Sequence, residues 1–268
     1  MFYVQPKYPT CLNLTEWEMI EPLLSKTKVH GNRKWSLCEI LNAIFYVTRG
    51  GLAWRLMPND FPPWQTVYGY FWRLNKCEVW QQINDELVKK MRIQAGRDPI
   101  PSKAIIDSQS VKTSEGGEQR GVDVHKQTPG RKRHIVTDTF GLILMVVVHS
   151  ANIPDGNGGK LTLQRLFDRI KGDSRRILSR LQIIRADGGY EDIVWYVSFY
   201  FGWLLEIIRR PPDAKGWIVL PKRWVVERTF GWLGRFRRLA RDYEHTVSSS
   251  EAMVYIASTR RMLKYLTK

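Results

Sequence analysis

The 268-residue sequence has little cysteine, no long apolar run and a shortage of acid. Its three cysteines, Cys11, Cys38 and Cys77, are odd in number, widely spaced and confined to the first third of the chain. That distribution excludes a disulfide framework and a zinc-finger spacing. No apolar run approaches the ~18 residues of a membrane span. Met1 to Pro9 carries Lys and Pro where a secretory core needs unbroken apolar residues. A cytoplasmic protein with no membrane partner is the expectation. Asp and Glu number 26 against 42 Lys and Arg, a net charge of +16. Such an excess speaks of a polyanionic partner, and nucleic acid is the commonest one. Hydrophobic content of 43% is enough to bury a core. At ~150 residues per domain the length allows one or two domains.

The basic charge is concentrated toward the end. From Ile207 to Lys268 there are 14 Lys or Arg against 5 Asp or Glu. Trp217, Trp224, Phe230, Trp232 and Phe236 are interleaved with them, so the run belongs to a folded element and not to a loose tail.

Residues 1–98 read as helices. Thr15-Glu16-Trp17-Glu18 has the form of a capping box, with Leu14 and Met19 placed as a hydrophobic staple. Trp17, Ile20 and Leu24 follow at helical spacing, with Pro22 expected to kink or shorten the helix. Ser36-Leu37-Cys38-Glu39 is a second capping box. Leu37, Leu41, Ile44 and Phe45 form the stripe it opens, and Gly50-Gly51 closes it. Trp64 to Arg92 predicts two helices broken between Asn75 and Glu78, with Arg73 and Lys76 near the turn. Short helices with tight turns suggest a helix-turn-helix-like DNA-binding region.

Pro99-Ile100-Pro101 marks a boundary, and residues 99–268 change character. Lys103 to Lys112, Arg133 to Asp138, Leu142 to His149, Leu181 to Ala186, Trp203 to Ile208 and Trp217 to Leu220 read as strands, with Phe140-Gly141 a hairpin turn. Leu161 to Lys171, Glu191 to Phe201, Trp224 to Arg241 and Ser249 to Leu266 read as helices. Strands grouped first and then alternating with helices describe a mixed α/β layer. The polar, glycine-rich stretch from Ser114 to Gly130 is a candidate mobile loop.

Three carboxylates stand out. Asp107 follows the apolar Ala104-Ile105-Ile106, and Asp187 follows Ile183-Ile184-Arg185-Ala186. Each ends a strand, and carboxyl ends of strands are where α/β sheets place ligands. The pattern fits a metal site or two turn caps. Glu227 is the third. On a helical wheel Val225, Trp232, Leu233, Phe236, Leu239 and Ala240 cluster on one side. Glu227 lies opposite, with Arg223, Gly231, Gly234, Arg238 and Arg241 within roughly 40°. The two glycines sacrifice roughly 1 kcal/mol each of helix propensity. That loss makes sense where a phosphodiester backbone must come close; a simple Glu227–Arg223 pair at i−4 is the plainer reading. Carboxylate oxygens suit Mg²⁺ or Mn²⁺. Two such ions about 3.5–4 Å apart support in-line phosphoryl displacement.

The sequence resembles DDE-type transposases of bacterial insertion sequences, in the compact insertion sequence five group. The resemblance runs nearly end to end. It is carried by Leu14-Thr15-Glu16-Trp17, Ile20-Glu21-Pro22-Leu23-Leu24, and Asp60-Phe61-Pro62-Pro63-Trp64-Gln65-Thr66-Val67-Tyr68. It continues with Ile106-Asp107-Ser108-Gln109-Ser110-Val111-Lys112-Thr113, Gly130-Arg131-Lys132-Arg133-His134, Ala186-Asp187-Gly188-Gly189-Tyr190 and Trp224-Val225-Val226-Glu227-Arg228-Thr229-Phe230.

The resemblance implies an α/β fold with a ribonuclease H-like mixed sheet flanked by helices, behind an all-helical N-terminal region. It implies Asp107, Asp187 and Glu227 as the acidic catalytic triad, with Asp107 bridging two Mg²⁺ or Mn²⁺ ions and the others holding one each. The short gaps between these three acids leave no room for the β-rich insertion domain of some relatives. Of the Tyr-Arg-Glu-Lys signature around the third acid, Arg223 matches the Arg. Leu220 and Gly234 stand at the Tyr and Lys positions, and Arg235 or Arg238 is expected to supply the missing cation. Arg131, Lys132, Arg133, His134, Arg223, Arg228, Arg235, Arg238 and Arg241 are the candidate DNA contacts. One of Trp195, Trp203, Trp217, Trp224 and Trp232 is a candidate for stacking on an extruded base.

The implied partner is double-stranded DNA, at transposon ends and target, bound by a homodimer or larger assembly in the nucleoid. The implied reaction is metal-assisted hydrolysis followed by joining of the 3′-hydroxyl to target DNA. Two other readings keep the fold: a metal-dependent DNA nuclease, or a domesticated DNA-binding protein that no longer transposes.

Overall fold

A computed structural model describes residues 7–25, 34–114, 116–172, 180–209 and 224–268. Helix α1 (Leu14–Ser25) opens the chain and runs through Pro22 without stopping. Its capping box is not the one the sequence suggests. The Asn13 side chain accepts from the Glu16 N–H at 2.8 Å, and Glu16 accepts from the Asn13 N–H at 2.9 Å. Shifting the cap to Asn13 makes Leu12 and Trp17 the flanking apolar pair, both buried, while Leu14 is exposed. Glu16 is thereby turned inward to meet Arg260 at 2.8 Å.

Helix α2 (Leu37–Gly50) starts at the predicted Ser36 box and ends with Gly51 at φ 74°. A side chain at Gly51 would stand 2.8 Å from the Arg237 Cβ, so both backbone conformation and space demand glycine. Helices α3 (Trp64–Lys76) and α4 (Val79–Gln94) break where expected. A helix-turn-helix would present its second helix to the DNA groove. Here α4 is the buried member, packed on the C-terminal helix α8 (Val247–Leu266), while α3 keeps the more open face.

The sheet is built from β1 (Lys103–Lys112), β2 (Gly121–Asp123), β3 (Thr128–Asp138), β4 (Ile143–Ser150), β5 (Ile183–Ala186) and β6 (Leu204–Ile207). Its main order is β4-β3-β1-β5-β6, with β2 added to the start of β3. The first three strands of that order are antiparallel neighbours, and β5 and β6 run parallel to β1. Strands β3 and β4 are long and nearly wholly buried, as expected for strands covered on both faces, and β1 is buried through its apolar half. The stretch expected as a mobile loop instead pairs β2 with β3 and is tied down by Arg131 at the Glu118 carbonyl.

Helix α5 (Asp155–Gly172) begins well before the Leu161 at which its apolar periodicity opens, because its first turn is made of glycines. Helix α6 (Val194–Phe201) follows a short 3₁₀ turn at Gly188–Ile193. Helix α7 (Trp224–Leu233) stops well short of the predicted Arg241. After Leu233 the chain turns, with the Arg235 and Phe236 N–H groups bonding back to Trp232 and Leu233, and a 3₁₀ turn follows at Arg237–Leu239. The strand expected at Trp217 to Leu220 lies outside the described residues. A single hydrophobic cluster runs from Cys11 to Leu263, with α8 wedged between the N-terminal helices and β4.

Candidate active site

The sheet register decides where two of the carboxylates meet. Strands β1 and β5 pair in parallel, with Lys103 opposite Ile183, Ala104 opposite Ile184 and Ile105 opposite Arg185. The same step along the chain leads from Asp107 to Asp187. Carrying that register onward to Asp107 therefore brings Asp187 alongside it, at the carboxyl edge of β5. Both are half-buried. The Asp107 Oδ1 accepts from the Ser108 N–H at 2.7 Å. Asp187 caps the 3₁₀ turn by accepting from the Gly189 N–H at 2.9 Å. The cap that the sequence offered as an alternative is therefore real, and it holds the carboxylate in place at the rim.

A fourth acid joins them, which sequence reasoning missed. Asp155, at the N-terminus of α5, accepts from the Ser108 hydroxyl at 2.7 Å and pairs with the Lys132 Nζ at 3.0 Å. Burial raises its pKa, but the Ser108 hydrogen bond and Lys132 outweigh that, and the net shift is downward. Asp155 thus stays ionised. Below it the buried Tyr190 phenol is pushed well above its ordinary pKa by burial, and then by the charges of Asp107, Asp155 and Asp187. A concentration of negative charge at a buried rim is what a hard cation would neutralise.

The signal for Asp155 was the run Asp155-Gly156-Asn157-Gly158-Gly159. Side chains at Gly158 and Gly159 would run into His134, His149 and Tyr190, so glycine lets the helix terminus lie directly on the site. His134 Nδ1 and His149 Nε2 are 2.9 Å apart, and His149 Nδ1 is 2.8 Å from the Ser150 carbonyl. Burial, then the neighbouring imidazole, hold His134 down to about 3, so the pair is neutral.

Glu227 sits on α7, which packs on β1 and β3 through Val225, Val226 and Thr229. The Thr229 hydroxyl donates to the Gly141 carbonyl at 2.9 Å, fixing the helix to the β3–β4 turn. Glu227 is exposed, and the space over Gly231 on its face is open. The wheel reading holds for that first stretch and fails after Leu233, where the helix ends. Among the described residues, no three Asp, Glu, His or Cys side chains close on one point.

The expected DNA contacts divide sharply. Arg131, Lys132, Arg133 and His134 are all buried. Arg131 bonds the carbonyls of Glu118, Glu244 and His245; Arg133 bonds those of Leu239 and Arg241. Lys132 holds the Ile153 carbonyl and Asp155. All four are buried and bonded within the fold, because β3 is a central strand with neighbours on both sides. Arg238 is likewise buried, paired with Glu244 at 2.7 Å and bonded to the Leu52 carbonyl. Arg228 bonds the Phe140 carbonyl and lies over Trp224 and Trp232. Arg235 and Arg241 are exposed, as a phosphate contact requires. Arg223 lies outside the described residues.

A sheet of this order, with aspartates on adjacent parallel strands and an acid-bearing helix across it, is the ribonuclease H-like fold. Two family models match the sequence. One, described as "Transposase DDE domain", covers residues 98–260; the other, "Putative transposase of IS4/5 family", covers residues 12–84. The chain belongs to the DDE transposases of insertion sequences. It is similar to a Burkholderia cepacia protein named "Putative transposase for insertion sequence element IS402", at 34% identity over 116 residues. That match takes in 43% of this chain and 54% of the relative, so the chain spans about half the length of the curated relative it matches. No helix among the described residues is long and apolar enough to cross a membrane.

Proposed function

We propose that this chain is a transposase that cuts double-stranded DNA at the ends of its element and joins the freed end to a target. The observation that carries the reading is the β1–β5 register: the pairing that sets Ile105 against Arg185, continued along both chains, sets Asp107 against Asp187. Asp107, Asp187 and Glu227 offer hard carboxylate oxygens, the donor set for two Mg²⁺ or Mn²⁺ ions. Such ions, when bound, would polarise the scissile phosphate and lower the pKa of the attacking water.

The chain's own residues supply the rest. The Ser108 and Gly189 N–H groups orient the two aspartates. Asp155, kept ionised by Lys132, fixes the Ser108 hydroxyl beside Asp107. The open flank over Gly231 lets a phosphodiester approach Glu227, with Arg235 exposed on the turn beyond it. In the first step a water oxygen bonds to phosphorus and the P–O3′ bond breaks, leaving a 3′-hydroxyl. In the second that 3′-oxygen attacks a target phosphorus and displaces a target 3′-oxygen. Bringing two element ends together requires two copies of the chain at least.

The test uses labelled element-end duplex and supercoiled target, in Mg²⁺ and in EDTA. Asp107→Asn, Asp187→Asn and Glu227→Gln should each abolish cleavage and joining while DNA affinity holds. Nicking without joining would reduce the reading to a nuclease. Binding without either would leave only a DNA-binding protein, and loss of affinity together with cleavage would refute the metal role.

A further inference from the structure

A positively charged site lies apart from the acidic rim. A cavity of about 480 Å³ opens between the end of α2, the turn after α7 and the last turns of α8. Its walls include Arg49, Arg235, Arg261, Lys264, Trp232 and Tyr265. The Arg261 guanidinium lies 3.2 Å over the Trp232 ring, and Arg228 lies 4.4 Å from the same ring. Two guanidiniums thus share one indole. Among the described residues Arg261 has no carboxylate partner. Glu16, the acid nearest these walls, is buried behind them and already serves Arg260 at 2.8 Å and Lys264 at 3.4 Å.

Arg228 and Arg235 crowd Arg261 with like charge. The Arg261 pKa is pushed down to about 10 by burial, and then by Arg228 and Arg235. Arg49 already reaches the Arg235 carbonyl at 2.6 Å and stacks on Phe236, so the turn is closed without Arg261. A polyanion relieves such a cluster. Several cations spread along one cavity, with the aromatic faces of Trp232 and Tyr265 between them, suit a nucleic acid strand better than a single small anion.

We propose that the cavity between α2, α7 and α8 binds a phosphodiester backbone of DNA, held by Arg235, Arg261 and Lys264. The inference rests on the DNA substrate proposed above and assigns it a contact outside the carboxylate rim.

The test is fluorescence anisotropy of the full chain with a labelled 40-base-pair duplex, across a salt series. Wild type should show a steep fall of affinity with salt. The double variant Arg261→Gln, Lys264→Gln should flatten the slope of log affinity against log salt by about 1 to 2, because each lost phosphate contact removes about 0.9. Its melting temperature should stay well above the assay temperature, so that the slope reports binding and not unfolding. Lys264→Gln alone, at a half-exposed position, should flatten the slope by up to about 0.9 and serves should the double variant fail to fold. An unchanged slope in folded variants overturns the cavity. So does stabilisation of wild type but not the variant by inorganic phosphate with DNA binding unaltered, which would mark a small-anion site. A wild-type chain that binds no DNA would instead sink the functional reading.

Discussion

Arg131 separates two accounts of the Gly130-Arg131-Lys132-Arg133-His134 segment. As a surface phosphate contact, its loss would weaken DNA binding and leave stability alone. The structure requires the reverse. The side chain is fully buried, with 0% exposed. Its guanidinium donates to the Glu118 carbonyl at 2.6 and 3.0 Å, the Glu244 carbonyl at 2.8 Å and the His245 carbonyl at 2.8 Å. Asp242 lies 3.4 Å away. Strand β3, the segment before β2 and the approach to α8 are thus clasped by one group. Arg131→Gln keeps the position filled but leaves Asp242 short of a counter-charge and at least two carbonyls without donors. Breaking a buried pair in this way costs about 3–5 kcal/mol. At about 2–4 °C per kcal/mol the melting temperature should fall by roughly 10 °C. Urea unfolding followed by circular dichroism measures the loss, and the salt slope of DNA binding, taken well below the transition, should not move. Stability within about 1 kcal/mol of wild type, with a salt slope flattened by about 1, would refute the buried clasp. Arg241→Gln, on an exposed side chain, provides the opposite control.

On the proposed metal-dependent reaction, Asp155→Asn should lower the cleavage rate about 10–100-fold, the usual effect of losing a group just outside the metal ligands, while DNA affinity changes less than about twofold. An unaltered rate would show that Asp155 plays no part in positioning. For His134 the folded pKa of about 3 lies below the unfolded value, so the unfolded chain binds more protons between about pH 3 and 6.5. The stability from this group is complete above pH 6.5 and drains away as pH falls, at up to about 1.4 kcal/mol per pH unit. His149 is lowered too and adds in the same sense. A His134 imidazole that fails to titrate between pH 8 and 5 in NMR of the native chain would match; ordinary titration near 6.5 would contradict its burial. Gly51→Ala should cost about 1–2 kcal/mol for the left-handed conformation alone, before the contact with Arg237 is counted. A loss below about 0.5 kcal/mol in chemical denaturation would show that α2 ends differently.

Much of the fold was legible because its signals are local. Ser36 with Glu39, Gly51 and the break before Val79 each depend on residues within one turn of each other, and each sits where the sequence puts it. Strand β1 matches its predicted limits because an apolar run ending in polar residues is itself the signal. The first helix cap slipped to Asn13 because two capping boxes compete there, and burial of Glu16 against Arg260 favours one. Helix α5 started early because glycines carry no helical signal, although the packed imidazoles require them.

By itself the sequence determined the excess of positive charge, the strand ending just before Asp187, and the exposed placement of Glu227 beside Gly231. These follow from composition and from periodicity along one element. Asp107, expected at a strand end, lies within β1, which runs on to Lys112. Only the tertiary structure decided which basic residues face solvent. Arg131 and Arg241 look alike in the sequence, but one lies on a strand covered on both faces and the other on a surface turn. The recruitment of Asp155 was decided in the same way, since a helix terminus so far along the chain from Asp107 reaches it only through the packing of α5 on the sheet. Charge and pattern are properties of the chain; solvation and proximity are properties of the fold.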